Sequence, residues 1–110
     1  LPQPVRQIIE LDSNQLLVSH ASLWELLGKV GRGKVQLTGS SIARVMERIY
    51  GLGVTLVPVT LANILSASSL PHHHSDPFDR MLIAQALAEG AALVTVDRKI
   101  QSYEVPTLWA

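Results

Sequence analysis

Residues 76–97 read DPFDRMLIAQALAEGAALVTVD, and the reading of this stretch settles the fold class. Asp76 offers a side-chain acceptor for the first free amides of a helix. Pro77 has the fixed φ suited to the first helical position, and Asp79 falls at the third. Phe78, Leu82, Gln85 and Ala86 share one side of that helix, Met81 and Ala88 flank it, and Gly90 ends it. Residues 91–96 then form an apolar run of strand length, as a buried parallel strand requires, and Asp97 starts the turn after it.

Outward from this unit the same grammar repeats. Residues 54–59 predict a second strand, with Pro58 near its end. Thr60 starts a short helix through Leu65, and residues 66–75 form a loop holding His72, His73 and His74. Ser40 or Ser41 caps a helix that turns Ile42, Val45, Met46 and Ile49 inward and stops at Gly51. Leu16-Leu17-Val18 is a short buried strand. Ser19 or Ser22 caps the helix that leaves it, with Leu23, Leu26, Leu27 and Val30 at core spacing, until Gly28, Gly31 and Gly33 erode it. Val5, Ile8, Ile9 and Leu11 line one face of an opening helix, and residues 107–109 suit a last short strand. Helices alternating with buried strands mean an α/β fold around a parallel sheet. No internal repeat or linker divides the chain, so residues 1–110 are expected to form one domain.

Composition narrows the function classes. The chain has 110 residues, 47% hydrophobic and 16% charged, with nine basic and nine acidic residues and no cysteine. That apolar content excludes disorder, and the missing thiols exclude a disulfide scaffold, a zinc ribbon and cysteine catalysis. No apolar run reaches the length of roughly 18 residues that spans a bilayer, and no signal peptide opens the chain. Neutral charge argues against bulk coating of nucleic acid, but it conceals a split. Residues 29–48 carry five basic side chains and one acid, a net +4, whereas residues 71–110 carry five acids and three basic residues, a net −2.

Two motifs are decoys. Residues 28–35, GKVGRGKV, nearly match the phosphate-binding loop, but Val35 stands where a Mg²⁺-binding hydroxyl is needed, and the segment follows a helix instead of a strand. Three consecutive histidines point different ways from an extended loop, so they suit no single metal ion, and an exposed loop is the simpler account.

The acids are more telling. Ligands of an open parallel sheet bind beyond the carboxyl ends of its strands. Glu25 lies about two turns into the helix leaving the first strand, Asp79 in the first turn of the later helix, and Asp97 directly after the third strand. Three acids from three such junctions can gather at one sheet edge, where only a cation relieves their repulsion. All-oxygen ligands suit Mg²⁺ or Mn²⁺, and phosphodiester hydrolysis is the matching chemistry. Each acid also has a plainer reading: Glu25 as partner of Ser22 in a capping box, Asp79 as complement to its helix dipole, Asp97 as a turn former. Asp76 is better read as the cap than as a ligand.

Three segments resemble PIN-domain ribonucleases, specifically toxins of the VapC type from prokaryotic toxin–antitoxin pairs. They are residues 17–25 (LVSHASLWE), 70–86 (LPHHHSDPFDRMLIAQA) and 93–97 (LVTVD), and the ending YEVPTLW at 103–109 also resembles the family's close. The resemblance implies a three-layer α/β fold and a cytoplasmic endoribonuclease that uses Mg²⁺ or Mn²⁺. It also implies an RNA substrate, neutralisation by a cognate antitoxin, a homodimer and no membrane association. It places metal-binding catalytic acids at Glu25, Asp79 and Asp97, with Thr95 and Ser19 beside them and Asp76 in support. Arg80 and Arg98 are expected to meet phosphate, with pairing to Glu47 or another surface acid as the alternative for Arg80. Lys29, Arg32 and Lys34, with Arg44 and Arg48, form a candidate RNA or antitoxin face opposed by Glu47, or else a solvated helix surface.

The family's first acid follows a first, central strand that this sequence does not show. The chain begins Leu1-Pro2-Gln3 with no initiator methionine, and its opening resembles the family's second helix. The expectation is therefore an N-terminally incomplete PIN-like domain with weak metal binding and little activity as it stands. The alternative is a non-catalytic interaction module of the same fold. Trp24, Tyr50 and Trp109 are too scattered for base stacking and are expected in the core.

Overall fold

A computed structural model describes residues 3–11, 13–32, 42–72, 76–95, 100 and 103–109. Its elements run in the order α1 (Gln3–Glu10), β1 (Leu17–Ser19), α2 (His20–Gly31), α3 (Ile42–Gly51), β2 (Thr55–Val57), α4 (Leu61–Ser69), α5 (Pro77–Glu89), β3 (Leu93–Thr95) and β4 (Thr107–Trp109). The fold is α/β with parallel strand pairing, as the alternation of elements requires. Two compact units emerge: residues 15–58, and residues 1–14 together with 59–110.

In the first unit β1 pairs in parallel with β2, Leu17 opposite Thr55 and Ser19 opposite Val57. The Gln15 side chain donates to the Thr55 hydroxyl at 3.1 Å, extending the ladder by one side-chain bond. Helices α2 and α3 form the crossover between the two strands, and they pack on each other. Ser19 and Ala21 are the buried residues described in this unit. Three large side chains expected inside are open to solvent: Trp24 at 71%, Tyr50 at 67% and Ile42 at 50% exposure. The helical period placed Ile42 correctly on one stripe with Met46 and Ile49, but at the first residue of α3 it extends past the packed surface.

The second unit holds the better core. Ile83, Ala86, Ile100, Tyr103 and Val105 cluster, with Leu70 and Leu93 packed against them, and Ile83 is fully buried. Strand β3 pairs in parallel with β4, Leu93 opposite Thr107 and Thr95 opposite Trp109. Helix α4 begins as expected at Thr60, whose hydroxyl accepts from the Asn63 amide while the Asn63 side chain accepts from the Thr60 amide, each at 3.1 Å.

Helix α4 does not stop at Leu65 but continues to Ser69. Two causes act together. The Ser68 and Ser69 hydroxyls satisfy themselves on the carbonyls four residues back, Ile64 and Leu65, so they do not compete for the helical amides. Ala67 is buried, which gives the extra turn a packing role.

Candidate functional site

Helix α5 presents the central acid. Asp76 is its cap: the Phe78 amide donates to the Asp76 carboxylate at 2.8 Å, and Pro77 takes the first helical position. Asp79 is therefore in the first turn, half-buried, where the positive end of the helix favours a carboxylate. At the other end Gly90 adopts φ 64°, and the Ala91 amide donates to Ala86 O at 2.9 Å, closing the helix with a left-handed turn.

That turn sends β3 back along α5, and the two elements pack together. From Asp79 to the helix end is about 15 Å at the α-helical rise, and residues 91–95 return about 13 Å at the strand rise. Asp79 and the carboxyl end of β3, where Thr95 stands, thus share one end of this unit. Asp97, two positions further, lies outside the described residues, as do Arg98, Lys34, His73 and His74.

The other unit holds Ser19 and Glu25. Ser19 ends β1 and caps α2: the Ala21 amide donates to its buried hydroxyl at 3.0 Å. Ser22 lies inside the helix, so the capping box of Ser22 with Glu25 does not form. Glu25 instead faces Lys29 across one turn at 3.4 Å, with both side chains nearly half exposed. A solvated pair of this kind contributes only about 0.3–0.5 kcal/mol, so Glu25 remains available to another cation. The two groups, Ser19 with Glu25 and Asp79 with Thr95, belong to different compact units. Among the described residues no three His, Asp or Glu side chains gather into a metal-binding cluster.

The basic residues divide by environment. Lys29 on α2, Arg32 just beyond its end, and Arg44 and Arg48 on α3 are exposed. Arg80 is not a surface cation. It is only 9% exposed, and its guanidinium donates to Ala67 O at 2.8 Å, Leu70 O and Pro71 O at 2.9 Å, and the Tyr103 hydroxyl at 3.3 Å. A desolvated guanidinium needs such acceptors, and the carbonyls ending α4 need donors. Each satisfies the other, so this side chain is committed to the protein and not to phosphate.

Tyr103 completes the arrangement by donating its hydroxyl to Pro71 O at 2.6 Å. The spacing of the sequence held no signal for it. Its partners are backbone carbonyls and an arginine more than twenty positions away, whereas an apolar position at a chain's end reads only as core.

The donor set of the candidate acids contains carboxylates and hydroxyls and neither imidazole nor thiolate, which fits a hard divalent cation. Comparison with known proteins addresses the family. The sequence profile of the PIN domain matches residues 1–106. Ribonuclease VapC22 of Mycobacterium tuberculosis is 30% identical over 115 aligned positions, which cover 99% of this chain and 85% of that protein. With the capped α5, its first-turn acid and the parallel α/β frame in place, the match over nearly the whole chain leads to one conclusion: the chain belongs to the PIN-domain family, among its VapC-type members.

Proposed function

We propose that this protein is a metal-dependent endoribonuclease of the toxin kind, hydrolysing RNA phosphodiester bonds in the cytoplasm and neutralised by a cognate antitoxin. The observation that carries this reading is Asp79, a half-buried carboxylate set in the capped first turn of α5. Glu25, Asp79 and Asp97 would hold Mg²⁺ or Mn²⁺, with Ser19 and Thr95 as supporting residues. When bound, such an ion polarises the phosphate and acidifies a water. Asp79 is pre-positioned for this task by its helix, with its charge favoured by the α5 dipole. Asp76 supports the site by capping the helix that carries Asp79. The exposed Lys29, Arg32, Arg44 and Arg48 supply a basic face for RNA or antitoxin, with Lys34 and Arg98 as further candidates. The ribonuclease name of the relative supports the same substrate class.

The protein is also proposed to self-associate as a homodimer. Helix α4 exposes Leu61, Ile64 and Leu65 on one stripe and contains no charged residue, so two copies can meet there without like-charge repulsion.

The deciding experiment is RNA cleavage by the purified full-length encoded protein with Mn²⁺, compared with its Asp79→Ala variant. Loss of a metal ligand is expected to lower cleavage by more than about a hundredfold, beyond the effect of outer-sphere changes, while far-ultraviolet circular dichroism is preserved. Undiminished cleavage by Asp79→Ala would remove the assignment. Absence of both cleavage and Mn²⁺ binding in the unmodified protein would favour the interaction-module reading.

A further inference from the structure

The proposed metal ligand Asp79 is followed directly by a buried cation that hydrolysis does not call for. Helix α5 could start with its Asp76 cap and Pro77 alone, as many helices do. Yet Arg80, one residue past Asp79, is buried and forks onto three carbonyls, those of Ala67, Leu70 and Pro71. Tyr103 binds the same Pro71 carbonyl and also accepts from Arg80, closing a triangle of guanidinium, phenol and carbonyl.

We infer that Arg80 and Tyr103 are positioning residues for Asp79: together they clamp the first turn of α5 to the end of α4 and so hold the Asp79 carboxylate in place for a divalent cation. The inference rests on the reading of Asp79 as a metal ligand. Its physical basis is local. First turns of helices fray, because their amides lack intrahelical partners, and a metal site tolerates displacements of only about 0.5 Å. Successive helical residues point about 100° apart, so Arg80 anchors the turn inward while its neighbour stays half-buried at the edge. The guanidinium is planar and rigid, which fixes the turn's rotation as well as its distance. A lysine would offer charge without that fork.

The Tyr103 hydroxyl sets the orientation of both other members. It donates to Pro71 O at 2.6 Å and receives from Arg80, while its ring packs in the Ile83 cluster. Tyr103→Phe therefore removes one oxygen and leaves the ring's packing intact.

The test compares Tyr103→Phe and Arg80→Lys with two reference variants, Asp79→Asn and Ile100→Val. The latter trims a core residue of the same cluster that takes no part in the clamp. Mn²⁺ binding is measured by calorimetry without RNA, cleavage is followed against Mn²⁺ concentration, and melting is recorded for each protein. Tyr103→Phe and Arg80→Lys are expected to weaken Mn²⁺ binding about tenfold, in the range of outer-sphere support to metal ligands, with cleavage largely restored at saturating Mn²⁺. Ile100→Val should melt earlier but bind Mn²⁺ normally.

Unchanged Mn²⁺ affinity in Tyr103→Phe and Arg80→Lys overturns the clamp. So does an affinity loss in Ile100→Val that matches theirs, which would reduce the clamp to general stability. Asp79→Asn separates the two levels of the argument. If it binds Mn²⁺ and cleaves normally, the reading of Asp79 itself fails. If it loses both while the clamp variants lose neither, only the clamp fails.

Discussion

Ser19, Asp76 and Arg80 all act at helix ends, but they differ in how far away their partners lie. The Ser19 hydroxyl receives the Ala21 amide, and the Asp76 carboxylate receives the Phe78 amide, each two residues onward. Such caps follow from residue type and local spacing, which is why the sequence marks Asp76 as a cap and narrows the cap of α2 to Ser19 or Ser22. Arg80 reaches back nine to thirteen positions to Pro71, Leu70 and Ala67, and forward to Tyr103, and no local pattern encodes those distances. The family resemblance implies a phosphate contact for Arg80, and its burial reassigns it. For Asp76, the cap reading has a measurable consequence. Asp76→Ala should cost about 1 kcal/mol in urea unfolding, and Asp76→Ser should recover most of it. A loss of Mn²⁺ binding in Asp76→Ser with stability intact would show that the carboxylate is a ligand and not only a cap.

At the level of elements, α5 and α4 make an instructive pair. Every signal in α5 agrees: cap, first-position proline, apolar stripe and a terminal glycine with positive φ, and the helix runs where the sequence places it. In α4 the start is equally well marked, but the end is not. A serine-rich tail without a glycine stop reads as loop, whereas the observed helix keeps its last turn. The Ser68 and Ser69 hydroxyls bond back along it, and the Arg80 guanidinium donates to the carbonyls it exposes. This end of α4 therefore depends on tertiary donors, while its beginning depends on Thr60 and Asn63. Thr60→Ala removes one half of the reciprocal capping box and is expected to lower stability by about 1 kcal/mol, read as a shifted urea midpoint with unchanged slope. No shift at all would mean that packing against α5 alone sets where α4 begins.

Across the whole molecule, burial is uneven. The unit containing α5 centres on Ile83 and its cluster, while the β1–β2 unit buries Ser19 and Ala21 among its described residues. Large apolar side chains stay exposed in both, among them Trp24, Leu52, Leu61 and Leu65. The proposed homodimer assigns the α4 stripe to a second copy. Leu65→Glu is then expected to shift sedimentation equilibrium from dimer to monomer with helicity retained, and a monomeric unmodified protein at tens of micromolar would refute it.

The order of helices and strands, the parallel α/β class and the Asp76 cap were determined by the sequence, which also nominates Glu25, Asp79 and Asp97 as the acids to test. They depend on residue type, on periods of two and 3.6, and on neighbours a few positions apart. The burial of Arg80, its bond with Tyr103, the extra turn of α4 and the exposure of Trp24, Tyr50 and Ile42 depended on the folded chain. Each is set by which surfaces meet in the folded chain, and a one-dimensional pattern does not specify those contacts.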